Sequence, residues 1–151
     1  MPTNTLKLGI DFGTTNSVVV LAHPDGKTET LRFTFPDHDV SDTCRTLLCF
    51  WQDEVGSRIT QQEAIGAAAI DAYLEDPADS RMIMSMKSYL AQKSFRETQV
   101  FSRRLTLQTL IARFLSNLMQ AVQLDPKGVH VTVGRPVEFA GDYPDDALGE
   151  E

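Results

Sequence analysis

The sequence predicts an α/β fold in which helices pack on a mixed sheet that opens with a three-stranded meander, and a smaller α+β lobe is inserted. Three observations predict it. Residues 6–12 alternate strictly between apolar and other side chains, which is typical of a strand. Turn residues separate two further apolar segments that follow closely. Residues 106–122 carry large apolar side chains at helical spacing, the broadest apolar stripe in the chain.

The meander consists of three predicted strands. After residues 6–12, a second strand is predicted at residues 17–22, where a continuous Val-Val-Val-Leu run indicates burial on both faces. Pro24-Asp25-Gly26 has the composition of a turn. A third strand is predicted at residues 30–35, with apolar residues at every second position.

The inserted lobe is predicted to begin where the sequence becomes polar and acidic. We expect it to occupy about residues 36–103 of a lobe that spans residues 1–151. Its predicted elements are a strand at residues 46–51, a helix at residues 61–73 and a short strand at residues 81–86 with Lys87 at its end. Beyond it come the helix at residues 106–122 and a buried strand at residues 129–133, and we expect no core-forming element after Pro136.

Length and charge limit the classes of function. A chain of 151 residues that is 42% hydrophobic can bury one core. Its net charge of -7 repels nucleic acid and anionic membranes, so neither is an expected partner. The apolar runs are too short to span a bilayer, and no secretion signal is recognisable, so a cytoplasmic location is expected. A phosphate-bearing ligand would need locally placed donors or a metal.

The two cysteines, Cys44 and Cys49, both lie in or beside an apolar stretch. Five residues apart on a strand, they would point to opposite faces, so we expect reduced packing residues rather than a disulfide. A metal site that adds His38 is conceivable, but the spacing fits no zinc pattern.

The candidate site is the segment from Asp11 to Asn16. Gly13-Thr14-Thr15-Asn16 forms a predicted tight turn between two strands, and its main-chain N–H groups and hydroxyls could hold phosphate oxygens. Asp11 would face the same pocket, which requires a cation such as magnesium, held through water. There is no P-loop or Rossmann motif. The alternative is an ordinary hairpin turn in which Asp11 accepts hydrogen bonds from the turn.

Residues 10–17 resemble the first phosphate loop of the actin, hexokinase and heat-shock ATPase superfamily. The motif Asp-Phe-Gly-Thr-Thr-Asn-Ser is most similar to that of DnaK-type chaperones. Its Asp-x-Gly-Thr-Thr core is shared with sugar kinases. Further segments resemble the chaperones in matching order, and the Gly-Arg-Pro form resembles the divergent YegD-like branch. These segments are residues 45–50, 62–68, 85–90 and 131–137.

The resemblance implies a ribonuclease-H-like, actin-type ATPase lobe that binds ATP or ADP with magnesium. In the intact protein it implies ATP hydrolysis that drives the folding of unfolded client proteins, assisted by co-chaperones. It gives Lys87 a catalytic role beside Asp11, reaching toward the terminal phosphate and the attacking water. Without the resemblance, Lys87 reads as a surface lysine. The residue matching Pro136 is implied to couple nucleotide state to a peptide-binding domain.

The departures from the family pattern are equally informative. A second glycine-rich phosphate loop, the adenosine-binding helix and the peptide-binding domain are absent. We therefore expect an incomplete domain from a truncated chain or gene fragment, with weak or no nucleotide binding, no measurable ATPase turnover, and self-association through the uncovered lobe face. Two alternatives are a fragment of an ATP-dependent sugar or metabolite kinase and an interaction module that binds no nucleotide.

Overall fold

A computed structural model describes residues 6–125 and 127–134, and it has the predicted mixed α/β fold. Two sheets and a separate hairpin are joined by two α-helices and a short 3-10 helix, Met86–Tyr89. The other elements, in chain order, are β1 (Leu6–Phe12), β2 (Asn16–Ala22), β3 (Thr28–Thr30), β4 (Cys44–Arg45), β5 (Leu47–Val55), β6 (Arg58–Ile65), α1 (Gly66–Glu75), β7 (Arg81–Met84), β8 (Glu97–Val100), β9 (Arg103–Thr106), α2 (Leu107–Ala121) and β10 (Val129–Val133).

The first sheet has the strand order β10-β1-β2-β3, and β4 also pairs with β2. β10 is parallel to β1, whereas β1 and β2 form an antiparallel hairpin that closes with Phe12 opposite Ser17. β3 and β4 both run antiparallel to β2 and occupy the edge that β1 leaves free. They are therefore two pieces of one edge strand.

The third predicted strand, residues 30–35, is wrong in its bounds, since β3 ends at Thr30. Beyond it the chain turns inward so that Phe33 is fully buried in the core. Phe33 pairs with Ser41 in an isolated bridge, and the chain returns to the same sheet edge at Cys44. The apolar alternation therefore continues past the point at which the regular strand ends.

The second sheet, called the small sheet below, has the order β6-β5-β7. One face of β5 points into the main core through Leu48 and Phe50, and the other packs on α1 through Leu47 and Cys49. The helix predicted at residues 61–73 is wrong at its start, because residues 61–65 pair with β5 and the helix begins at Gly66. A short apolar segment can fit either the helical period or the strand period, and here its pairing with β5 makes it a strand.

The helix predicted at residues 106–122 is confirmed as α2. Thr106 caps its start, with its side-chain oxygen accepting a hydrogen bond from the N–H of Thr109. The apolar stripe is buried, and the ring of Phe114 lies 5.8 Å from that of Phe12, centroid to centroid. On the other side, Arg113 donates to Glu63 of β6 at 2.8 Å. α2 therefore ties both sheets together.

The strand predicted at residues 129–133 is confirmed in its bounds but wrong in its burial. Val131 and Val133 are 38% and 44% exposed, since among the described residues β10 is the outer strand of its sheet. The second strand is buried on one face and only partly buried on the other. The hairpin of β8 and β9 was not predicted. Pro136 and the acidic end of the chain lie outside the described residues.

Both cysteines are free and buried, which confirms them as packing residues. Cys44 lies in the main core, and Cys49 lies in the cluster between β5 and α1. Burial raises the pKa of the Cys44 thiol to about 12 and also raises the pKa of Cys49. No helix in the described ranges is long and apolar enough to cross a membrane.

We expect neither thiol to react with iodoacetamide in the folded protein at pH 8. Thiolate is the reactive form, and a pKa of about 12 leaves roughly one Cys44 in 10,000 ionised at that pH. Mass spectrometry should find no added carbamidomethyl group before denaturation and two after it. Rapid native labelling of Cys44 would contradict its burial.

Candidate functional site

The bend between β1 and β2 requires glycine at position 13. A Cβ atom at Gly13 would lie 2.1 Å from the main-chain oxygen of Asn16, closer than atoms can approach. The chain therefore doubles back tightly here, as close backbone approach at glycine allows. We call residues 13–16 the bend.

The bend is fixed by residues that lead into the small sheet. The N–H of Thr46 donates to the main-chain oxygen of Thr15 at 2.8 Å. Beneath, the hydroxyls of Ser17 and Thr46 are hydrogen-bonded at 2.9 Å, and both side chains are fully buried. Each buried hydroxyl needs the other as its hydrogen-bond partner, because an unpaired buried hydroxyl costs stability. This hydrogen bond therefore fixes the bend against the small sheet. Sequence reasoning assigned neither residue to the site.

The outer side of the bend is open to solvent. Thr14, Thr15 and Asn16 are exposed, and Gly13 is partly exposed. Within the part of the chain that the structure describes, the N–H groups of Thr14 and Thr15 donate to no other group. Amides sealed inside the protein would have excluded an anion. Here Thr14 and Thr15 are exposed residues whose N–H groups have no partner among the described residues, and the threonine hydroxyls are further donors.

Asp11 lies next to the bend on the exposed face of the first sheet. It is the second-last residue of β1 and stands opposite Val18. Its neighbour Phe12 points into the core, so Asp11 points away from it. Asp11 makes no ion pair in residues 6–125 and 127–134, and those residues contain no cluster of three metal-binding side chains. Any cation at Asp11 would need ligands from the bound anion and water.

The prediction that Lys87 lies at the end of a strand is wrong. β7 ends at Met84, Ser85 takes a left-handed backbone conformation with φ of 57°, and Lys87 lies half-buried in the 3-10 helix. Met84 pairs with Leu47, one residue beyond Thr46. The 3-10 helix therefore leaves the small sheet at the end that adjoins the bend, although Lys87 belongs to a separate element.

The structure thus brings Asp11 and residues 13–16 together at the end of the β1–β2 hairpin. Lys87 lies outside this group, in the 3-10 helix that follows the last strand of the small sheet. Sequence reasoning also missed Arg45, which is exposed and directly opposite Asn16. In the sequence it stands out only as the first residue of the resembling segment 45–50, because the pairing joins residues that are far apart in sequence.

A cavity of about 170 Å³ lies elsewhere, between β7, the 3-10 helix, β8 and α2. Its lining is mainly apolar, and its one charged residue, Arg81, donates to Thr98 at 3.2 Å. None of the residues of the bend lines it. We regard it as a gap between elements and not as the site, because it gathers no chemistry-bearing groups.

Comparison with known proteins identifies no family. No protein-family profile matches the sequence, and no curated protein matches it. Among solved structures, the chain is similar to a non-polymerising mutant of MamK bound to AMPPNP, with 14% sequence identity and a TM-score of 0.46. The match covers 87% of this chain and 32% of that chain, so this protein spans about a third of the length of MamK. A likeness this distant identifies neither the ligand nor the activity of this protein.

Proposed function

We propose that the bend binds the phosphate groups of a nucleotide and that the chain is the front part of an ATP-binding domain of the actin, hexokinase and heat-shock superfamily. One observation carries the proposal. Two exposed threonines, whose main-chain N–H groups have no hydrogen-bond partner among the described residues, lie on a glycine bend that is fixed from beneath, beside the exposed carboxylate of Asp11. Preorganised main-chain donors of this kind are what an anion site needs in an acidic protein.

Magnesium fits this arrangement at Asp11. The carboxylate is exposed and unpaired within the described residues, and oxygen ligands suit the ion. Because the described residues form no cluster of three metal-binding side chains, phosphate oxygens and water would complete the coordination. When bound, magnesium would supply the positive charge that lets a carboxylate and a polyphosphate share one site. Gly13, Thr14, Thr15 and Asn16 would hold the phosphate oxygens.

The chaperone branch is the finer part of the proposal. The DnaK-type sequence of residues 11–17 supports it. We propose that the small sheet belongs to the inserted lobe at about residues 36–103. The intact protein would hydrolyse ATP to drive the folding of client proteins with co-chaperones, and Lys87 would reach toward the terminal phosphate.

A sugar or metabolite kinase of the same superfamily is the second candidate. It needs the bend and Asp11 but gives Lys87 no role. The position of Lys87 in a 3-10 helix, instead of on a strand, is the observation that favours it.

Nuclear magnetic resonance tests the proposed site, because it detects weak binding residue by residue. We expect magnesium-ATP to shift the amide signals of residues 13–16 before those of any other segment. Asp11→Asn should remove the part of the response that depends on magnesium, since it removes the charge that holds the cation. Asp53→Asn is the matched control, because Asp53 is an exposed carboxylate near the tip of the β5–β6 hairpin.

Two results would count against the site. One is an unchanged spectrum of the bend at saturating magnesium-ATP. The other is a magnesium response that Asp11→Asn and Asp53→Asn alter equally, which would indicate a general charge effect instead of coordination at Asp11.

A further inference from the structure

Three strands bring Asp11, Asn16 and Arg45 to one face of the first sheet. Asp11 stands opposite Val18, and Asn16, two residues before Val18, stands opposite Arg45. Residues directly opposite, and residues two apart on one strand, share a face. The intervening residues confirm this parity, because their side chains lie in the core with exposed fractions of 4%, 0% and 1%: Phe12, Ser17 and Cys44.

Within the described residues, no acidic side chain forms an ion pair with the positively charged Arg45. Its side chain is exposed. Three arginines are paired with acidic side chains: Arg32 with Asp42 at 3.3 Å, Arg104 with Glu97 at 2.9 Å and Arg113 with Glu63 at 2.8 Å. The exposed Arg58, like Arg45, forms no ion pair within the described residues, which makes it a matched comparison. An unpaired guanidinium that shares a sheet face with the bend would attract an anion to it.

The strand register also indicates the length of anion that fits the site. Asp11 and Arg45 lie on strands that flank β2, two strand spacings apart and offset by two residues, which places their Cα atoms ~12 Å apart. Side chains stand roughly perpendicular to a sheet, so their ends stay separated. A single phosphate at the bend can meet Arg45 or a cation at Asp11. A chain of two or three phosphates can meet both.

We propose that Arg45 is a phosphate ligand that makes the bend select polyphosphates, such as nucleoside di- and triphosphates, over orthophosphate. This inference rests on the proposed function of the bend. Asn16 and the amides of the bend hold the middle of the anion, Arg45 binds one end, and a cation at Asp11 binds the other. Arginine suits this role because its planar fork can bind two phosphate oxygens at once.

Titrations of the whole chain with magnesium tripolyphosphate and with orthophosphate test this assignment, followed by the amide signals of residues 13–16. Arg45→Ala should weaken tripolyphosphate binding about fivefold, as expected for one exposed charged hydrogen-bonding group, and change orthophosphate binding less than about twofold. Arg45→Lys should give an intermediate affinity. Arg58→Ala removes the same charge from the exposed tip of the β5–β6 hairpin and should change neither.

Each other outcome overturns a defined claim. If the native chain binds tripolyphosphate and Arg45→Ala behaves like Arg58→Ala, Arg45 is not a ligand, and the proposed function of the bend stands. If Arg45→Ala weakens both anions equally, the selection by length is wrong. If the bend of the native chain responds to no anion, the proposed function fails and this inference fails with it.

Discussion

Phe114→Ala should lower the free energy of unfolding by about 3–5 kcal/mol, the largest effect on stability that we expect from a single substitution. Phe114 is fully buried in the middle of α2, and its ring packs on Phe12 at the end of β1. Truncation removes the buried area and leaves a cavity where α2 meets the first sheet. Because a domain of this size is stable by only about 5–15 kcal/mol, this loss is a large fraction of the total stability.

Urea denaturation followed by far-ultraviolet circular dichroism measures this loss. Gln120→Ala is the control on the same helix, since Gln120 is exposed, and it should change stability by less than about 0.5 kcal/mol. A loss below about 1 kcal/mol for Phe114→Ala would mean that α2 is not packed on the first sheet as described.

Gly13→Ala should abolish the response of the bend to magnesium-ATP, the largest effect on binding that we expect. The added Cβ would lie 2.1 Å from the main-chain oxygen of Asn16, and backbone cannot yield as a flexible side chain does. The bend must open, which displaces the threonine amides from the positions where they could share one anion. Overpacking of this kind also costs about 1–3 kcal/mol of stability.

Gly9→Ala is the matched control on the same strand. A Cβ at Gly9 meets nothing nearer than the oxygen of Val20 at 3.9 Å, an ordinary contact, and the backbone there needs no glycine. It should leave stability nearly unchanged. Equal effects of the two substitutions, measured by amide spectra and urea denaturation, would refute the tight geometry of the bend.

The elements that sequence reasoning predicted well are those whose pattern is long and regular. β1 alternates over seven residues and α2 carries its stripe over four turns, so each is specified locally and its bounds hold within a residue. Asp11 and the bend were predicted for a related reason: a glycine and hydroxylated residues between two strands can be recognised in the local sequence, without knowledge of the fold.

The errors arise where distant residues decide. The third strand ends at Thr30 and Phe33 pairs instead with Ser41, and residues 61–65 form a strand because β5 is beside them. Neither neighbour is visible in a local window. The same reason hides Arg45, which lies opposite Asn16 through the pairing of β4 with β2, and Thr46, which is hydrogen-bonded to Thr15 and Ser17.

Attachment of the bend to the small sheet has a physical consequence for the site. The chain passes from β4 through Thr46 directly into β5, so the residue that anchors the bend immediately precedes the small sheet. A rotation of the small sheet against the first sheet would therefore pull on the bond between Thr46 and Thr15. We expect the position of the bend and the position of the small sheet to be coupled.

A crystal structure of the chain grown with magnesium and tripolyphosphate tests the central claim most directly. We predict phosphate density on the solvent side of the bend, within hydrogen-bonding distance of the N–H groups of Thr14 and Thr15, with a cation between it and Asp11. A polyphosphate bound elsewhere while those two amides face only water, in crystals where no neighbouring molecule covers the bend, would contradict it.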